Sequence, residues 1–95
     1  MKKRCKHIGC KDGFTMSVQA SETHYSEPTD NRGPYTKVEV GYPSEFEELL
    51  WPYVDGDPEY ANPTMVVYSY VPVAVVLAVI EKHGGRVVGE LPEIE

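Results

Sequence analysis

The chain has 95 residues, 41% of them hydrophobic and 25% charged, with a net charge of −6. That composition suits one globular domain spanning residues 1–95 and excludes a disordered chain. The acidic balance argues against broad nucleic-acid binding, which depends on clustered Lys and Arg neutralising phosphates.

Residues 1–13 carry five basic groups (Lys2, Lys3, Arg4, Lys6, Lys11) against Asp12 alone. This basic start runs into His7 and Gly9 rather than into an apolar stretch, so no export signal is expected. The longest apolar run, residues 71–80, is shorter than the roughly 20 residues that span a bilayer. The expected location is therefore the cytoplasm. Residues 1–10 read as a basic N-terminal arm or an edge strand, with a short strand over 5–10. Lys11-Asp12-Gly13 is a turn, because Asp-Gly tolerates the positive φ angles of tight hairpins. Over 14–20, Phe14, Met16, Val18 and Ala20 alternate with Thr15, Ser17 and Gln19, the period of a half-buried strand. The Pro- and Gly-punctuated stretch 26–34 is a loop. Residues 35–42 form a second strand, with Val38, Val40 and Tyr42 on one face.

A helix is expected from Ser44, with Glu47 completing a capping box and Phe46, Leu49, Leu50 and Tyr53 on its buried face. Pro52 stops it near Trp51, since proline lacks the donor and clashes with the preceding turn. Residues 54–63 are loop. The β-branched and aromatic stretch 64–71 is a strand on which Tyr68 and Tyr70 share a face. Pro72 opens a second helix over 73–83, closed by Lys82, His83 and Gly84. A short strand over 86–91 and an acidic tail at 92–95 end the chain. Together these elements predict an α+β fold: a mixed, mainly antiparallel sheet of four to five strands with two helices on one face. The last strand–helix–strand unit is expected to place two parallel strands side by side.

The chemistry-bearing residues are sparse. Cys5 and Cys10 bracket His7, and His24 or His83 could complete a zinc set, although structural zinc sites usually draw paired ligands from two separate segments. Free, reduced thiols are the ordinary state in the cytosol. Asp55, Asp57 and Glu59 begin like a calcium loop, but Tyr60 stands where glycine is needed and Val66 where glutamate is needed. Asn62-Pro63-Thr64 is barred from glycosylation by its proline. There is no nucleophile motif and no phosphate-binding glycine loop, since Gly84-Gly85 ends a helix rather than opening one. A non-enzymatic protein without a cofactor is expected.

Two features point to association instead. Seven tyrosines combine apolar area with a wet hydroxyl, a combination common at interfaces. The 73–83 helix is apolar on its Val73, Val76, Leu77, Ile80 stripe and also at Ala74, Val75, Ala78 and Val79, so one sheet cannot cover all of it. The expected contact residues are Trp51, Tyr53, Tyr68, Tyr70, Val75 and Val79.

The segments 16–21 (Met-Ser-Val-Gln-Ala-Ser), 34–41 (Pro-Tyr-Thr-Lys-Val-Glu-Val-Gly) and 79–85 (Val-Ile-Glu-Lys-His-Gly-Gly) resemble small accessory proteins of tailed bacteriophages, actinobacteriophages among them. The resemblance implies a non-virion protein that binds and modulates a host protein in the host cytoplasm, and it carries over no functional residue. Two alternatives stand beside it: a small zinc-binding module using Cys5, Cys10 and a histidine, and an acidic nucleic-acid mimic built on 44–60. Those residues hold six acids and no base. Self-association through the helix is a further expectation.

Overall fold

The computed structural model describes residues 4–94. Lys2 and Lys3 of the basic arm and Glu95 of the tail lie outside the described residues. Five strands form one sheet: β1 (Ile8–Cys10), β2 (Thr15–Gln19), β3 (Lys37–Gly41), β4 (Val67–Pro72) and β5 (Arg86–Val88). Their order is β4-β3-β2-β1-β5. Every neighbouring pair is antiparallel. Among the described residues there is one α-helix, α1 (Val73–Lys82), and a short 3-10 turn at Trp51–Tyr53. Among the described residues no helix is long and apolar enough to cross a membrane.

The first hairpin forms as its sequence dictates. Asp12 Oδ1 accepts the Phe14 N–H at 2.9 Å. The Gly13 N–H closes the turn on the Cys10 carbonyl at 3.0 Å. Ile8 pairs with Met16, so strand alternation sends Ile8, Cys10, Met16 and Val18 to one face. Val38, Val40, Tyr68 and Val71 join them from β3 and β4, and all are buried. The helix lays Val73, Val76, Val79 and Ile80 over this face. Met16 is fully buried at the middle of that layer. Met16→Ala is expected to cost about 2–5 kcal/mol, through lost burial and the cavity left behind. Urea denaturation followed by circular dichroism measures it.

Three expectations are corrected. First, β4 and β5 do not pair. They occupy opposite edges of the sheet, so α1 carries the chain across the core face and the sheet holds no parallel strand pair. The only parallel pairing among the described residues is an isolated bridge between Tyr35 and Ile94.

Second, no α-helix forms from Ser44, and the stretch holds only the 3-10 turn at Trp51–Tyr53. Ser44 turns away from capping and pairs with the start of β2, its N–H donating to the Thr15 carbonyl at 2.8 Å. Its Oγ accepts the Thr15 N–H at 3.0 Å. Glu47 does not reach back to complete the capping box. It is drawn inward and is 1% exposed. A capping box contributes only about 1 kcal/mol, which tertiary hydrogen bonds to a buried carboxylate outweigh.

Third, Tyr68 and Tyr70 do not share a face. Val38 pairs with Val71 and Val40 with Tyr68, so β4 holds one extra residue between these rungs. This is a β-bulge, and Tyr70 absorbs it with φ 52°. Tyr68 goes to the core while Tyr70 is exposed. Tyr42, expected to share the face of Val38 and Val40, is likewise exposed at φ 51° while those two are buried.

The C-terminal end is more than a solvated tail. The Tyr35 N–H donates to the Glu93 carbonyl at 2.8 Å. Leu91 and Ile94 pack against the core.

Candidate functional site

The densest polar cluster lies where α1 ends. His83 closes the helix, its N–H donating to the Val79 carbonyl at 3.1 Å, and Gly84 follows with φ 92°. The β1–β2 turn docks on this end: the Asp12 N–H donates to the His83 carbonyl at 3.2 Å and the Lys11 N–H to the Gly85 carbonyl at 3.0 Å. Carbonyls that a helix end leaves without partners are satisfied there by the turn. The Phe14 ring stacks on the imidazole at 4.0 Å between centroids.

Both imidazole nitrogens face carboxylates. Nδ1 lies 2.6 Å from Asp12 Oδ2. Nε2 lies 2.7 Å from Glu47 Oε1. Ionised carboxylates only accept, so the imidazolium, donating from both nitrogens, is the form that satisfies both partners. Glu47 Oε2 accepts the Leu49 N–H at 2.9 Å. It also accepts from Lys82 Nζ at 2.9 Å. Lys82 Nζ lies 3.7 Å from Glu48 as well. Three separate segments thus meet at one ring.

The protonation equilibria follow from this geometry. Burial by itself would push the His83 pKa down, but the hydrogen bonds and charges of Glu47 and Asp12 outweigh it, and the net shift is upward from 6.5. Burial would raise Glu47, yet the Leu49 N–H, His83 and Lys82 together hold it below 4.5. The Phe14 N–H, then His83, hold Asp12 below 3.8. A general base needs a nitrogen open to a substrate proton, and both are occupied here. The arrangement acts as an electrostatic clamp.

A second polar group sits in the loop after β2. Ser21 Oγ lies 2.6 Å from His24 Nδ1. It lies 3.0 Å from Thr23 Oγ1. The Ser26 hydroxyl donates to the Ser21 carbonyl at 3.1 Å. All these partners fall within residues 21–26, so the group braces its own loop.

The zinc candidates are dispersed. Strand alternation turns Cys10 into the core, where burial raises its thiol pKa, followed by the Asp12 charge. His7 is exposed and His24 belongs to the 21–26 loop. The Cys5 backbone is held by Gln19, whose amide accepts its N–H at 2.9 Å and donates to its carbonyl at 2.7 Å. Among the described residues no group of three or more His, Cys, Asp or Glu could hold a metal ion.

The expected contact residues divide. Tyr68 and Val79 are fully buried and belong to the core. Tyr68 donates its hydroxyl to the Pro63 carbonyl at 2.7 Å. Trp51, Tyr53 and Val75 are half-buried and pack against the core. Tyr70 alone of the six is well exposed, with its ring 5.9 Å from that of Tyr25. On α1, Leu77 of the stripe expected to face the sheet is exposed between Ala74 and Ala78, while Val79 of the expected second face is buried and Val75 half-buried, so the apolar surface left open is carried by one large side chain.

What sequence reading missed is the excursion 42–66 between β3 and β4. It exposes Tyr42, Phe46, Leu49, Tyr60 and Met65, half of the ten large hydrophobic side chains exposed among the described residues. The sequence pattern places Phe46 and Leu49 on a buried helical face, and the structure exposes both. The excursion also exposes Glu45, Glu48, Asp55, Asp57 and Glu59. Its backbone is nevertheless pinned: Tyr42 to Val66, Ser44 to Thr15, and Asp55 to Val67. The Phe46 and Trp51 rings pack 5.4 Å apart. The chain matches no family model, no curated protein and no solved structure.

Proposed function

We propose that the protein is a non-enzymatic binding protein that docks a basic protein partner on the 42–66 lobe. The observation that carries this reading is that the lobe exposes five large apolar side chains and five acids on a backbone already held in place. Exposed aromatic and aliphatic groups supply anchors. The surrounding carboxylates favour a partner with Lys and Arg around an apolar pocket, and they speed its approach. A pinned backbone reduces the ordering cost of association. Long loops on a rigid scaffold are common places for such contacts. The phage resemblance makes the partner a host protein in the host cytoplasm.

Phe46 and Leu49 touch solvent, so Phe46→Ser with Leu49→Ser should leave folding nearly unchanged while removing two anchors. Wild-type and doubly substituted proteins, immobilised side by side, would be compared for what they retain from a bacterial lysate at low and at high salt. The reading expects a basic protein held by the wild type at low salt, weakened by salt and absent from the variant. Equal retention by both forms would rule the lobe out as the contact surface.

A further inference from the structure

Glu47 is the only acid of the lobe's 44–60 stretch that is buried. Its burial is tied to His83, on a different element, through a bond of 2.7 Å. The same ring holds Asp12 on the β1–β2 turn at 2.6 Å. A neutral imidazole has a single N–H and can hold one of these carboxylates but not both. We propose that His83 is a proton-operated clamp for the 42–66 lobe: the imidazolium joins the lobe to the β1–β2 turn across the end of α1, and loss of its proton breaks that bridge and loosens the lobe. This rests on the reading of the lobe as a contact surface only for its biological purpose; the clamp itself is a property of the free protein.

The charged groups around the ring agree with this role. Asp12 from the turn and Glu47 from the lobe are the charged groups that touch it, and Lys82, next to it on the helix, holds Glu47 and Glu48. With the ring protonated, buried Glu47 faces two cations, His83 and Lys82. With the ring neutral it faces Lys82 alone, whose side chain is 42% exposed and shared with Glu48. Asp12 is half-exposed and can turn to water, whereas Glu47 is shut away from it. A buried carboxylate that loses one of two cations is held less firmly, and the segment carrying it opens more readily. The clamp is therefore closed while the ring is protonated and both carboxylates are ionised, from 4.5 up to 6.5. It opens as the pH rises through the folded-state pKa of His83, which is shifted upward.

Trp51 is the only tryptophan in the chain and sits in the lobe, so it reports on this step directly. Acrylamide quenching of Trp51 would be followed against pH, alongside an NMR titration of the His83 ring in the same protein. The expected result is a one-proton rise in quenching whose midpoint coincides with that of the ring. Exchange of the Leu49 N–H, bonded to Glu47, should accelerate about tenfold beyond its intrinsic base dependence, equivalent to about 1.4 kcal/mol of lost restraint. In His83→Gln the step should vanish. Quenching that stays flat in the wild type while His83 titrates would overturn the proposal, whatever the variant does. No partner enters this experiment, so its outcome is separate from that of the retention test.

Discussion

Glu47→Ala is expected to lower stability by about 3–5 kcal/mol, because removing one partner of a buried ion pair leaves the other charge uncompensated. For a domain of this size the total is only about 5–15 kcal/mol, so this one side chain accounts for a large fraction of it. The corresponding fall in Tm is on the order of 20 °C. Three contacts converge on one carboxylate that is 1% exposed, from the Leu49 N–H, Lys82 and His83, and the other nitrogen of the His83 ring holds Asp12. Glu47→Gln keeps the shape and a carbonyl for Leu49 and should lose less. Thermal melts of the two variants against pH provide the check, because the pH profile has a defined sign. His83 has a raised pKa, so its contribution is complete below 6.5 and disappears as the pH rises through the folded value above it. Glu47 and Asp12 have lowered values, so their contributions are complete above 4.5 and 3.8 and disappear as the pH falls through the folded values below these. The wild type should thus be most stable in the window between the two limbs. The upper limb should be missing from His83→Gln. A wild-type Tm that shows no fall as the His83 ring loses its proton would contradict the clamp's energetics.

Gly89→Ala should be comparably damaging at the far edge of the sheet. Gly89 has φ 96°. A Cβ there would sit 2.1 Å from the His7 carbonyl oxygen, 2.6 Å from Ile8 Cα and 2.7 Å from the His7 carbonyl carbon. These obstacles are backbone at the start of β1, so no side-chain rotation relieves them. Strain and overpacking together should cost about 3 kcal/mol or more. The chain just beyond, where the Glu90 N–H donates to the Lys6 carbonyl at 3.2 Å and Leu91 packs against the core, would be displaced with it. Trypsin cleavage after Arg86, in edge strand β5, should become faster in the variant under native conditions. Cleavage at an unchanged rate, with an unchanged denaturation midpoint, would show that the edge tolerates the shift.

Much of the secondary structure was legible because it is set locally. The alternation of Met16 and Val18, the Asp12-Gly13 turn, the Val38–Val40 pair and the Pro72-to-Gly84 helix all act within a few residues, where steric and hydrogen-bond preferences are strong. The 44–53 segment was misread because its local signals are real but weak. Ser44 and Glu47 do spell a capping box, yet Thr15 and His83, 29 and 36 residues away, compete for the same groups and win. The single-residue bulge in β4 is likewise invisible in the sequence, since it depends on how β3 pairs with β4, and it separates Tyr68 from Tyr70.

The candidate site divides along the same line. Charge, periodicity and caps are written in neighbouring residues, so the acidic 44–60 stretch, the apolar helix closed by His83 and the antiparallel start to the fold can be read from the chain alone. Long-range packing takes α1 from one edge of the sheet to the other. Only it brought Asp12 and Glu47 to opposite sides of one imidazole, and turned Phe46 and Leu49 outward when Glu47 turned in. The physical reason is that a buried carboxylate must find partners wherever the fold supplies them, and the cost of leaving it unpaired exceeds any local preference of the ten residues around it.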